Sequence, residues 1–233
     1  MANQNKTWGY ALIAYPGATG GIPELLDNGG VERNVVEETA RMSDDADWDL
    51  VARARSGDME AFAALVRRYE TPVVHFCMRM VGSFEDAQDL AQDSFVRVYR
   101  YLGRLKPEAK FSTVLFGMAR NLTLNFLRDS GRRGRGKTHS ITREDESEHH
   151  IEDEARRPDR EARLREIEGL VETALAMLSP EHREVLVLRE IQCMDYETIA
   201  QVTRCREGTV KSRLARAREQ LRLKMTELGG DLL

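Results

Sequence analysis

Eight basic residues crowd positions 204–224: Arg204, Arg206, Lys211, Arg213, Arg216, Arg218, Arg222 and Lys224. Only Glu207 and Glu219 oppose them there. Cationic groups at this density suit a polyanion, because each can neutralise a phosphate and release its counterion. The plainer reading is a solvated helix face, and spacing weighs between the two. Val210, Leu214, Ala217 and Leu221 recur at 4-, 3- and 4-residue steps, so they share one helix face. Gly208, Ser212 and Ala215 fall on the opposite face. A helix that is small on its outer face can sit deep in a major groove. Lys211, Arg213, Arg216 and Arg218 then flank it, where phosphates and guanine edges lie. Asp195 reads as the N-cap of a short preceding helix over Tyr196–Ala200, with a turn near Arg204–Cys205. The pair has the pattern of a helix-turn-helix.

Other reactive groups carry less. Gly131-Arg-Arg-Gly-Arg-Gly136-Lys137-Thr138 matches the phosphate-cradling pattern G-x-x-x-x-G-K-[ST]. That chemistry needs a strand before the glycines and a helix after them. Here a helix precedes and an acidic polar segment follows, so a basic linker is expected. His139, His149 and His150 lie in that linker without cysteine partners, and His75 and Cys77 point to different sides of a helix. The three cysteines, Cys77, Cys193 and Cys205, are far apart and form no metal-ligand spacing or disulfide framework. No carboxylates pair into an acid–base set. The expectation is a protein that is not an enzyme and needs no cofactor or metal.

The elements that must position the basic helix are all helical. No stretch alternates with a two-residue period, which predicts an all-α fold. Asp58 caps a helix after Gly57, with Phe62, Leu65, Val66 and Tyr69 on its apolar side, and Pro72 is expected to restart a second one. Gly82 ends it, and Ser83–Asp86 reads as a capping box for a helix through Leu90, Phe95, Val98 and Leu102. Pro107 breaks the chain before a helix over Phe111–Leu127. Ser179-Pro180-Glu181 is a helix start by chemistry, with Ser179 capping, Pro180 in the first turn and Glu181 at the positive helix end. The expected organisation is an acidic, disordered extension over 1–46, a helical domain over 47–130, a flexible linker over 131–161 and a helix-turn-helix domain over 162–228. Apolar residues make up 41% and charged residues 32%, a globular but highly charged balance. No apolar run approaches the roughly 20 residues of a membrane span. A soluble, cytoplasmic protein without membrane insertion is therefore expected.

Tyr196-Glu-Thr-Ile-Ala200 through Gly208-Thr-Val-Lys-Ser-Arg-Leu214-Ala-Arg-Ala-Arg218 closely resembles the fourth conserved region of bacterial sigma-70-family factors, most of all the extracytoplasmic-function (ECF) group. Asp86-Ala-Gln-Asp-Leu90-Ala-Gln-Asp93-Ser-Phe95 resembles the second-region helix of that group. Phe111-Ser-Thr-Val-Leu-Phe116 with Ala119-Arg-Asn-Leu122 resembles the adjoining promoter-melting segment. The likeness covers about residues 47–130 and 162–226, in family order. It implies a transcription initiation factor whose partners are core RNA polymerase and promoter DNA, with room for an anti-sigma factor. Asp89, Gln92 and Asp93 would meet the polymerase. Lys110, Phe111, Thr113, Arg120, Asn121 and Asn125 would contact the minus-10 element. Arg206, Glu207, Lys211, Ser212, Arg213 and Arg216 would read the minus-35 element. Of the two aromatics, Phe116 reads as core, and Phe111, beside Lys110 at a helix start, as the strand-contacting candidate.

The chain departs from the family pattern in places. Val114 stands where Trp is frequent, and Asn125 where Asp is usual. Thr203 replaces a customary Leu, and Arg204 a Gly or Asn in the turn. The competing reading is a helix-turn-helix regulator without a sigma role. Residues 1–41, with 3 basic and 8 acidic residues over 1–48, are expected to be dispensable for transcription, and Met42 reads as a natural start. An arm that masks the basic helix is the alternative.

Overall fold

The structure is a computed structural model that describes residues 45–132, 167 and 169–229. The described residues are helical, with no strand among them. The extension, most of the 131–161 segment and the linker histidines lie outside them.

The first unit has four helices. Helix α1 spans 45–55. It seats Val51 and Ala54 in the core and buries the Asp47 carboxylate, which accepts from the Arg68 guanidinium and the Tyr69 hydroxyl. Asp58 then caps helix α2, Met59–Val81, by accepting from the Ala61 N–H at 3.1 Å.

The expected restart at Pro72 does not occur, because α2 runs unbroken through it. Proline removes one N–H, which leaves the Arg68 carbonyl without its helical donor. Arg68 is exposed, so water can serve that carbonyl. Leu65 on one side, and Val73, Phe76, Cys77 and Met80 on the other, clamp both halves to one core. Packing overrides the local breaker.

Gly82, at φ 79°, closes α2 in the left-handed region, where a side chain would be strained. Ser83 caps helix α3, Phe84–Tyr101, accepting from the Asp86 N–H. A 3₁₀ turn, Leu102–Arg104, and the break at Pro107 lead to helix α4, Phe111–Arg132. Helix α4 runs past the expected Leu127 and enters the glycine-arginine run, so the start of the nucleotide-loop lookalike is helical.

In the second unit, helix α5 includes 169–176, and its Val171, Ala174 and Leu175 are buried. Helix α6, Pro180–Leu186, continues into a π-helical turn, Val187–Ile191. Ser179 sits at its N-cap with Pro180 in the first turn, but the serine hydroxyl makes no capping bond. Helix α7, Tyr196–Thr203, is capped by Asp195, which accepts from the Thr198 N–H at 2.6 Å. Helix α8, Glu207–Glu227, follows the turn.

The units pack together. Helix α7 lies against α4, and α6 and its π-helical turn touch α2. One continuous buried cluster joins both units.

Candidate nucleic-acid interface

Helix α8 presents the pattern read from the sequence. Val210, Leu214, Ala217, Leu221 and Met225 are buried, while Gly208, Ser212 and Ala215 are exposed. Hydrophobic packing on α6 and α7 fixes the rotation of the helix about its axis and turns the small strip outward. Arg206, Glu207, Lys211, Ser212 and Arg216 are exposed beside it. Lys211 Nζ pairs with Glu207 at 2.6 Å and lies 5.4 Å from the centre of the Tyr196 ring. Arg218 turns back to Glu190 at 2.5 Å, so it braces α8 against the π-helical turn. Arg213 is the member drawn inward, with Nη1 3.9 Å from the Glu184 carboxylate.

The turn that aims α8 is built on Arg204, which takes the left-handed conformation at φ 55° and ψ 44°. The Cys205 N–H donates to the Ala200 carbonyl at 3.0 Å and closes the end of α7. Burial penalises the Asp195 carboxyl, but the Thr198 N–H, Lys110 and Arg189 outweigh it and hold the group below its ordinary value.

The other predicted contacts lie along α4 and its approach, in different settings. Phe111 is wholly buried, and its assignment as a strand-contacting aromatic is corrected here. Its ring packs 5.5 Å from that of Tyr69 and 6.3 Å from that of Trp48, and the Trp48 indole N–H donates to the Ala109 carbonyl at 3.1 Å. Helix α1 thus closes over the start of α4, and neighbouring Lys110 could not reveal that. Phe116 is core as expected, edge-on to Phe76 at 5.7 Å. Thr113 is also buried, and its hydroxyl has no hydrogen-bond partner. Asn121 is half-buried, and Asn125 is exposed with its amide oxygen accepting from Arg128.

Arg120 faces the second unit. It makes a two-pronged contact with Glu184, Nε to Oε2 at 2.7 Å and Nη2 to Oε1 at 3.0 Å. Glu184 is fully buried, and its burial raises the carboxyl pKa against the pull of Arg120 and Arg213. The adjacent Arg183 is buried too. Its guanidinium donates to the carbonyls of Leu175, Ala176 and Leu178 at the end of α5 and to Met80 at the end of α2. Arg79 pairs with Glu172 at 3.1 Å, and Lys110 with Asp195 at 3.9 Å. The sequence reading missed Arg79, Glu172, Arg183 and Glu184. Each looks like an ordinary polar helix position, and no local signal marks a partner 64 to 103 residues away.

Asp89, Gln92 and Asp93 are exposed on α3, opposite buried Ala87, Ala91, Phe95 and Val98. Asp89 and Gln92 line a groove of about 830 Å³ between α2 and α3, whose floor includes Phe62, Val66 and Phe95. Met59, Phe84, Val96 and Tyr99 are large apolar side chains left exposed around this face.

Among the described residues, no cluster of His, Cys, Asp and Glu could hold a metal, and no helix is long and apolar enough to cross a membrane. Burial pushes the Cys77 thiol up to about 12, which makes it an inert core group.

Comparison with known proteins places these units. Residues 65–133 match the model of Sigma-70 region 2, and residues 168–221 that of Sigma-70, region 4. The RNA polymerase sigma-H factor of Pseudomonas aeruginosa is 36% identical over 184 residues, 77% of this chain and 94% of that protein. The ECF RNA polymerase sigma-E factor of Haemophilus influenzae is 34% identical over 185 residues, 78% of this chain and 96% of the relative. Among solved structures, CnrH in complex with the cytosolic domain of CnrY aligns with a TM-score of 0.57 at 26% identity, covering 80% of this chain and 99% of that one. The sigma factor RpoE of Bartonella quintana, solved with the anti-sigma factor NepR, shares the fold at a TM-score of 0.53 and 24% identity, over 71% of this chain and 96% of its own.

Proposed function

From the premise that this chain belongs to the ECF group of the sigma-70 family, and so is a transcription initiation factor that directs core RNA polymerase to promoters, we propose how its residues divide that work. The second unit reads minus-35 DNA with α8. Gly208, Ser212 and Ala215 let the helix approach the floor of the major groove, while Arg206, Lys211 and Arg216 meet phosphates or guanine edges. Glu207 and Ser212 reach base edges as acceptor and as hydroxyl. Arg213 joins this set once it leaves Glu184. The observation that carries the reading is the outward small-residue strip with cations on its rims. A helix that only packed in a hairpin would have no reason to combine the two.

The first unit meets the minus-10 element with Lys110, Arg120, Asn121 and Asn125. Lysine and arginine supply strand-neutralising charge, and the two amides supply donors and acceptors for unstacked bases. Phe111 and Thr113 support this surface from beneath. Polymerase docks on the groove between α2 and α3. Its exposed apolar side chains supply buried area, and Asp89, Gln92 and Asp93 supply a rim suited to a basic partner. An anti-sigma protein is a further expected partner.

The test is transcription in vitro with purified core polymerase and a library of genomic promoter fragments. The full chain should select a subset of promoters and bind them specifically only in the presence of polymerase. Tight promoter-specific binding by the chain alone, with no transcription when polymerase is added, would overturn this reading in favour of an ordinary helix-turn-helix regulator.

A further inference from the structure

The groove between α2 and α3 has an apolar floor and an apolar edge. Tyr99 packs edge-on to Phe62 at 5.1 Å, and its hydroxyl donates to the Met59 sulfur at 3.4 Å. Met59, Val96 and Tyr99 line the groove and are exposed. Water is a poor neighbour for an aromatic ring and a thioether, so covering them with a partner releases free energy. Glu70 and Asp89 are exposed carboxylates on the two walls. At about 830 Å³ the space suits a few large side chains of a peptide. The extension that precedes α1 contains a segment of matching chemistry. Trp8-Gly-Tyr-Ala-Leu-Ile-Ala-Tyr15 carries three aromatic and two large aliphatic side chains, and Lys6 stands just before it. No acidic residue occurs before Glu24. A cluster of apolar side chains this large marks a contact site. The competing segment is 31–42, where Val31, Val35 and Val36 are apolar. There Glu32, Glu37 and Glu38 outnumber Arg33 and Arg41, so it would be repelled by Glu70 and Asp89.

We propose that residues 6–15 of this chain seat in the groove between α2 and α3, large apolar side chains on its floor and Lys6 toward Glu70 and Asp89, and that core polymerase displaces them when it docks. The inference rests on the polymerase reading of the groove given above. Chain length permits the contact. The 29 residues between Tyr15 and Asp45 span about 30 Å even as a coil, and α2 itself is about 35 Å long. Tethering also lets a weak contact suffice, because a linked segment acts at an effective concentration on the order of millimolar. Polymerase, with a larger surface to bury, then competes successfully at a cost set by the fraction of chain that is closed. The segment is a brake on assembly and takes no part in promoter choice.

The experiment uses the full chain with Cys193→Ser and Cys205→Ser, which leaves the buried Cys77 as the native thiol. Ala11→Cys is combined with Val96→Cys in the groove or, as a control, with exposed Glu219→Cys on α8. Mild oxidation should join the first pair within one chain and leave the control pair unjoined. Adding core polymerase before oxidation should suppress the cross-link. Should Val96→Cys disturb the fold, Gln88→Cys in the same groove must give the same result. In a chain that keeps its cysteines, Trp8→Ser with Leu12→Ser should strengthen polymerase binding about tenfold, the gain expected when about nine-tenths of the free chain is closed. No cross-link at either groove position would overturn the proposal. Equal reaction at Glu219→Cys would overturn it in favour of an arm on the basic helix, and a disulfide between two chains in favour of a second copy in the groove. Unchanged polymerase affinity of the Trp8 and Leu12 variant would also overturn it where Asp89→Arg impairs assembly. Failure of the underlying reading looks different: the cross-link forms, but Asp89→Arg and Asp93→Arg both assemble normally with polymerase.

Discussion

Arg216 and Thr113 mark two extremes of what a polar side chain does here. Arg216 is exposed on the rim of the small-residue strip, where α8 holds it by packing on its opposite face. Arg216→Ala should weaken promoter binding by the polymerase-bound factor by about 1–3 kcal/mol if the guanidinium reads a base edge. If it meets only phosphate, the loss should be smaller and uniform across sequences. Titrating promoter fragments at several salt concentrations separates the two, and unchanged affinity and salt slope would remove Arg216 from the interface. Thr113 has its hydroxyl buried without a partner. An unsatisfied buried hydroxyl costs about 1–3 kcal/mol, while valine keeps the branched shape. Thr113→Val should therefore raise stability in urea by about 1 kcal/mol, and a loss of stability would show that the hydroxyl has a partner in solution.

At the scale of elements, two helix ends set the aim of α8. Arg204 closes α7 in a left-handed conformation that glycine adopts without steric cost. Arg204→Gly should stabilise the protein by about 0.5–1 kcal/mol, read as a higher denaturation midpoint at unchanged slope. At the other end, Asp195 caps α7, and its carboxyl is held below its ordinary value because the Thr198 N–H, Lys110 and Arg189 outweigh burial. A depressed carboxylate contributes stability above its unfolded pKa and loses it as pH falls through the folded value. Asn retains a capping oxygen and loses only the charge. Asp195→Asn should thus be less stable than the native chain near neutral pH, by under about 1 kcal/mol at this partly exposed site. The gap should close as pH falls below about 4. A constant difference across that range would show that the charge plays no part.

At the scale of the whole molecule, the groove proposed for polymerase lies open between α2 and α3, the cations of α8 face outward, and Lys110 and Arg120 turn toward carboxylates of the second unit. Asp89 and Asp93 lie on the open face, away from the contact between the units. Asp89→Arg or Asp93→Arg should leave the fold and the docking of the units intact. It should impair holoenzyme assembly, because a like charge against a basic partner slows encounter and can cost several kcal/mol. Gel filtration with core polymerase measures this, and normal assembly by both variants would move the polymerase contact elsewhere. The exposed Met59, Phe84, Val96 and Tyr99 on the same unit fit an interface whose other half is a separate protein.

Sequence alone determined whatever depends on neighbours a few residues apart. The buried face of α8, the caps at Asp58 and Asp195, the glycine stop at Gly82 and the outward strip of Gly208, Ser212 and Ala215 all follow from helical periodicity and local hydrogen-bond chemistry. Those features, with the second-region pattern, were enough to read an all-α sigma-like chain. Tertiary structure decided what depends on partners distant in the chain. Pro72 stays within a helix because core residues on both sides of it are clamped. Phe111 is buried because Trp48 and Tyr69 close over it from other helices. Glu184 becomes a meeting point of the two units because Arg120 and Arg213 converge on it from two helices, one in each unit. Periodicity shows which side of a helix is apolar. The element that covers that side, and the charge that element carries, arise only when long-range packing brings residues scores of positions apart into one dry site, where an unpaired charge is too costly to leave alone.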